Sequence, residues 1–189
     1  MTEIYFVRHA ESDFLVTDEQ RRPLTPKGVS DLEKLVKLFR TYTIATIYSS
    51  PYTRAIQTVK PIAEVKGLMV IIKEDFKERI SKSNWIDNTG DLTTFVEKMW
   101  EDHRKSIDGG ESIIEVQERN IKELRNVIKE NENRKVIIGT HGTALASIMN
   151  YYDEKFTYTD FMHFIGKMPY VIKMVMDGDV FISLEEIAI

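Results

Sequence analysis

The sequence predicts an α/β fold, a three-layer α/β/α sandwich on a mainly parallel sheet. Two observations carry this expectation. Short apolar runs, mostly rich in β-branched residues, recur at 4–7, 44–48, 68–72 and 135–139. Segments of helical period separate most of them, which is the alternation that parallel strands need for their crossovers. With 189 residues, 42% of them apolar, the chain can bury a sizeable core. One domain over 1–189 is expected, with 75–110 as a small inserted segment.

The elements follow in order. Residues 4–7 form a first strand, and a polar stretch covers 13–22. Thr25 suits an N-cap with Pro26 at the first helical position, and apolar spacing continues a helix over 28–42. Gly28 falls inside it, where close packing would explain a residue that weakens helices. A strand at 44–48 leads through Ser49-Ser50-Pro51, read as the cap of a helix reaching Lys66. Pro61 should kink or divide that helix. A strand is expected at 68–72.

Residues 75–90 show no clear period. Helical spacing returns at 92–106 and is broken at 108–110. A long helix over 112–130 opens with a capping box, Ser112 and Glu115. A strand at 135–139, a helix at 143–151, an ambiguous stretch at 156–168 and a hairpin of 170–176 with 180–184 complete the chain.

Composition narrows the function. Cysteine is absent, so thiolate catalysis and Cys-ligated zinc are excluded. A formal charge of -4 argues against a nucleic-acid surface, though not against a small anionic ligand. No apolar run approaches the ~18 residues of a membrane span. No secretory signal is seen at the start, and a cytoplasmic location is expected.

The chemistry-bearing residues sit where strands end. Arg8-His9-Ala10-Glu11-Ser12 follows the first strand, Ser49 to Thr58 with Arg54 follows the second, and Gly139-Thr140-His141-Gly142 ends another. Ligands of open α/β sheets bind outside the carboxyl ends of strands. A guanidinium fork suits phosphate oxygens. An imidazole can serve as base, nucleophile or ligand. A metal site on His9 and His141 is disfavoured, because two arginines would repel the cation and no carboxylate cluster accompanies them.

Together with Leu24-Thr25-Pro26-Lys27-Gly28 and Gly110-Glu111-Ser112, these segments resemble, in order and spacing, the histidine phosphatase superfamily, the phosphoglycerate-mutase-like group. The resemblance runs from Ile4 to about Leu184. It implies that His9 is the nucleophile, that Arg8, Arg54 and His141 bind the phosphoryl group, and that Ser12 and Gly142 contribute to the pocket. It further implies an acid that protonates the leaving oxygen. Glu78, before Arg79, matches it, with Glu74 and Asp75 as neighbours that could take the role.

The implied activity is a metal-independent phosphatase acting on phosphate monoesters through phospho-His9, with no cofactor. The implied partner is a small phosphorylated substrate or a phosphoprotein, with residues 75–110 as a cap over the site. The alternatives are a phosphoglycerate mutase and a non-catalytic phospho-ligand-binding member. The oligomeric state is not readable.

Departures from the family pattern favour hydrolysis over mutase activity. Ala10 replaces the usual Gly, and its methyl is expected to crowd the phosphate. Leu15 stands where many members have a phosphate-contacting Asn. Residues 18–22 lack the Gly-Trp pair of glycolytic mutases. Glu111 resembles a family position too, and its stronger reading is a first-turn carboxylate facing the helix dipole. His103 and His163 read as ordinary packed or surface residues, and Trp85 and Trp100 as core residues or the lining of a pocket mouth.

Overall fold

The computed structural model describes residues 1–81, 92–106 and 109–189. Trp85, weighed above as a core or pocket-mouth residue, lies outside them. Among the described residues, β1 (Thr2–Arg8), β2 (Thr46–Ser49), β3 (Val70–Ile72), β4 (Lys135–Thr140), β5 (Tyr170–Asp177) and β6 (Val180–Ile187) form one sheet. Its order is β3-β2-β4-β1-β5-β6. The first four strands are parallel, and β5 and β6 add an antiparallel edge hairpin. The fold is therefore a mixed α/β sandwich with a mostly parallel sheet.

Central parallel strands are covered on both faces, which is why they read as continuous apolar runs. Tyr5 and Val7 of β1 and Ile137 of β4 face α1 (Pro26–Phe39) and α2 (Thr53–Lys66). Ile4, Phe6, Val136 and Ile138 face the opposite layer. That layer holds α3 (Leu92–Glu101), α4 (Ile113–Glu130), α5 (Gly142–Tyr152) and α6 (Tyr158–Ile165). Phe95, Val96, Met99 and Trp100 of α3 are buried in its core, so Trp100 packs rather than lines a pocket mouth over the site. No helix among the described residues is long and apolar enough to cross a membrane.

Several expectations are corrected. The helix expected over 92–106 ends at Glu101. Pro61 lies inside α2 without dividing it. Its missing N–H costs one bond of the helical ladder, and the flanking Val59, Ile62 and Ala63 are buried and hold the turn in place. The cap of α2 is Tyr52, whose side chain makes no cap bond, while the Ser50 hydroxyl accepts the Tyr52 N–H and contacts His141. The ambiguous stretch contains α6, opened by a Thr157–Asp160 capping box.

The register decides where the chemistry falls. Arg8 pairs with Thr140, and Ser49 with Gly139. The next residues continue the match: His9 N–H donates to the Thr140 carbonyl (3.0 Å), and Ser50 N–H to the Gly139 carbonyl (2.9 Å). His9, Ser50 and His141 thus leave three adjacent parallel strands at one carboxyl edge.

Candidate active site

Arg8, His9, Arg54 and His141 meet at this edge. None is more than 5% exposed. The two imidazole centroids are 5.3 Å apart, and the His141 ring lies 5.1 Å from that of Tyr52. Arg54 arrives from the first turn of α2, as its place after the second strand suggests.

Backbone geometry fixes the His9 tautomer. Its Nδ1 lies 2.8 Å from the Ala10 carbonyl oxygen, which can only accept. Nδ1 therefore carries the proton, and the neutral ring keeps a lone pair on Nε2. Burial, then Arg54 and Arg8, push the His9 imidazole well below its ordinary value, so the ring is neutral at pH 7. His141 is pushed the same way, by burial first and then by Arg54 and His9.

A similar argument applies to His141. The Ser50 hydroxyl accepts the Tyr52 N–H at 3.2 Å and lies 2.6 Å from His141 Nε2. A hydroxyl that accepts from the backbone retains its own proton to donate. Where Ser50 gives that proton to Nε2, the His141 ring carries its own on Nδ1. That atom is buried and has no hydrogen-bond partner among the described residues.

Each guanidinium is partly spent on the scaffold. Arg8 Nη1 donates to the carbonyls of Phe164, Ile165 and Lys167 at 3.0, 2.6 and 3.0 Å. Phe164 and Ile165 close α6 and Lys167 follows it, in the stretch where a helix leaves carbonyls without helical partners. Arg54 Nη1 donates to the Glu19 carbonyl (2.6 Å), and its Nη2 pairs with the Glu19 carboxylate (3.0 Å). Nε of both arginines is buried without a partner among the described residues. Burial pulls Arg8 down to about 10, which leaves it a cation at neutral pH.

Glu78 stands on the same edge. Its Oε2 accepts from Thr143 N–H (3.0 Å), and Oε1 accepts from the N–H groups of Ala144 (3.1 Å) and Arg79 (2.8 Å). N–H groups at the start of α5 thus hold this carboxylate. Its charge is close enough to influence Arg8 and Arg54. Glu74 is exposed within a 3-10 turn (Glu74–Phe76).

Gly142 and Ser12 differ in their fit. A Cβ on Gly142 would lie 2.6 Å from Ile165 Cδ1 and 3.6 Å from Arg8 Nε, so glycine lets the Arg8 fork lie against the start of α5. Ser12 is buried and bridges to Leu24 through the backbone. Its hydroxyl has no partner among the described residues, and no hydrogen bond ties it to the arginines or histidines.

Other expectations change. The Ala10 methyl joins the apolar cluster beneath α1 and α2 rather than crowding the arginines, and Ala10 N–H donates to Thr58 Oγ1. Leu15 is 91% exposed and takes no place in the cluster. Glu111 precedes the α4 cap, and its carboxylate goes to Arg119 and to Ile80 N–H, not to the helix dipole. His103 packs edge-on to Trp100, and His163 is exposed beside Lys167.

Sequence reasoning missed Glu19, Arg22, Ser50 and Arg119. Arg22 is buried, pairs with Glu19 at 2.9 Å, and adds to the positive field on His9. Within a polar loop, neither Glu19 nor Arg22 carried a periodic signal.

Comparison with known proteins agrees with this geometry. Residues 4–181 match the model of the histidine phosphatase superfamily, branch 1. Phosphoserine phosphatase 1 of Hydrogenobacter thermophilus is 32% identical over 154 residues, covering 75% of this chain and 71% of that protein. The probable phosphoglycerate mutase GpmB of an Enterobacter species is 27% identical over 165 residues, covering 79% and 74%. Among solved structures, Bacillus stearothermophilus YhfR superposes with a TM-score of 0.76 at 24% identity, covering 96% of this chain and 94% of its own. The chain belongs to the histidine phosphatase superfamily, branch 1.

Proposed function

We propose that the protein is a phosphatase that hydrolyses phosphate monoesters through a phosphohistidine on His9, without a metal. The observation that carries this reading is the His9 ring: Nδ1–H is tied to the Ala10 carbonyl, and Nε2 is unprotonated beside two buried guanidiniums. A dianionic phosphoryl group needs positive charge on its equatorial oxygens and a nucleophile in line. Arg8 and Arg54 supply the charge, and His141 Nδ1–H is a further donor as charge shifts. Two guanidiniums disfavour a cation at the same place.

The steps balance as follows. Nε2 of His9 bonds to phosphorus as the ester P–O bond breaks, and Glu78 in its acid form gives its proton to the departing oxygen. The alcohol leaves. Water then attacks phosphorus, its proton passes to the Glu78 carboxylate, and the P–N bond breaks. Phosphate and neutral His9 are regenerated, and Glu78 is again an acid. Dividing the reaction in two lowers each barrier. Glu78 is preferred to Glu74 and Asp75 because its carboxylate is seated at the start of α5, one turn from His141. Residues 75–110 are read as a cap that helps select the substrate.

The names of the relatives suggest phosphoserine and phosphoglycerates as first substrates. A mutase is the second reading, favoured by the GpmB relative. The loop of residues 13–22 argues for hydrolysis: Leu15 points to solvent, and Glu19 places a carboxylate on Arg54. That negative charge disfavours retention of a bisphosphorylated intermediate. Phosphate release is measured on phosphoserine, 3-phosphoglycerate and p-nitrophenyl phosphate with a chelator present. In parallel, 3-phosphoglycerate with a trace of 2,3-bisphosphoglycerate is followed for 2-phosphoglycerate. Phosphate release is expected. Rapid 2-phosphoglycerate formation without phosphate would make the protein a mutase.

A further inference from the structure

We infer that Glu111 and Arg119 are positioning residues, forming a clamp that aims Glu78 at the leaving oxygen. The inference rests on the reading of Glu78 as proton donor. Arg119 projects from the second turn of α4, and Glu111 lies just before the Ser112 cap. They form a bidentate pair, Nε to Oε1 and Nη2 to Oε2, both 2.8 Å. The rest of the guanidinium is spent on one strip of backbone. Nη1 donates to the carbonyls of Asp75 (2.7 Å) and Lys77 (2.8 Å), and Nη2 to the carbonyl of Glu78 itself (3.1 Å).

Glu111 grips the same strip from the other side. Its Oε2 accepts Ile80 N–H at 2.7 Å, its N–H donates to the Ile80 carbonyl at 2.9 Å, and its carbonyl accepts from Arg79 Nη1 at 2.8 Å. Residues 75–80 are thus held before and after Glu78 by two side chains on one rigid helix start. The capping box of Ser112 and Glu115 fixes that start. Phe76, fully buried, anchors the strip to the core. The arrangement is costly as well as specific. Both charges are largely buried, and burial alone would raise the Glu111 carboxyl. Arg119 and Ile80 N–H outweigh it and hold the carboxyl below the usual range. A buried charged pair that contacts mainly the backbone around one carboxylate is suited to setting that carboxylate's direction.

Leaving-group chemistry supplies the test. Loss of the general acid harms departure of an alkoxide far more than departure of p-nitrophenolate, which is stable as an anion. The value of kcat/KM, which covers steps up to leaving-group departure, is measured for 2-glycerophosphate and p-nitrophenyl phosphate in wild type, Glu78→Gln, Glu111→Gln and Arg119→Lys. The ratio of the two substrates in one preparation cancels any unfolded fraction. Glu78→Gln is expected to lower the alkyl substrate by about 100-fold or more relative to the aryl one. Glu111→Gln and Arg119→Lys are expected to show the same selectivity, about 10- to 100-fold, as misplacement by about 1 Å would give. Their inhibition constants for inorganic phosphate should match wild type. If Glu78→Gln is selective and both clamp variants keep the wild-type ratio, the clamp is merely structural and the inference fails. If Glu78→Gln itself shows no selectivity, the assignment of Glu78 fails, and the clamp has nothing to aim.

Discussion

At the scale of residues, the site is a set of charges and rings whose protonation is dictated by what surrounds them. His9 and His141 are both neutral in the folded protein because burial and nearby guanidiniums oppose a second positive charge. This has a consequence for stability. In the unfolded chain each imidazole takes a proton near 6.5. In the folded chain each takes it only at lower pH. The unfolded state therefore binds more protons below 6.5, and stability falls as pH drops through and below that value. At pH 5.5 each histidine should cost about 1.4 kcal/mol relative to pH 7.5. Urea unfolding of wild type and of a His9→Asn/His141→Asn variant checks this. Wild type should lose about 2–3 kcal/mol more than the variant over that interval. Equal pH slopes would mean that the two rings are not held neutral.

At the scale of elements, α1 shows how a single glycine docks a helix under the site. Gly28 is buried in its first turn, and a Cβ there would lie 2.2 Å from the Glu11 carbonyl oxygen. That carbonyl also accepts Thr25 N–H, so it cannot move freely. Gly→Ala in a helix ordinarily stabilises by about 1 kcal/mol. Here the sign should reverse, with Gly28→Ala destabilising by about 1–3 kcal/mol through overpacking. Thermal unfolding decides it, and a raised Tm would show that α1 does not rest on the Glu11 backbone. The close packing expected of Gly28 was legible because its cost in a helix demands a return. Other element features were readable for similar local reasons. The Thr25 and Ser112 caps lie beside their own donors in sequence. The α6 capping box was equally local, yet an aromatic run around it obscured the period. The Arg119 clamp was not readable. A mid-helix arginine looks like any solvated charge until β3 and the loop after it are brought across α4.

At the scale of the whole molecule, the parallel sheet assembles the site. Three strands far apart in sequence end side by side, and the residue following each is chemically active or supports one that is. The sequence made the strand ends visible, since apolar runs stop abruptly at Arg8, Ser49 and Thr140. It could not show that α5 would give two N–H groups to Glu78, or that Glu19, paired with Arg22, would fold back onto Arg54. Those contacts depend on the tertiary register. The central claim, a covalent intermediate on His9, is tested most directly by rapid acid-free quench. The protein is mixed with a ³²P-labelled monoester and denatured in alkali within milliseconds. The label is then located by peptide mass spectrometry. The account predicts alkali-stable, acid-labile phosphate on His9, and none in His9→Ala, whose turnover is lost. Turnover sustained by His9→Ala, or label confined to another residue, would contradict it.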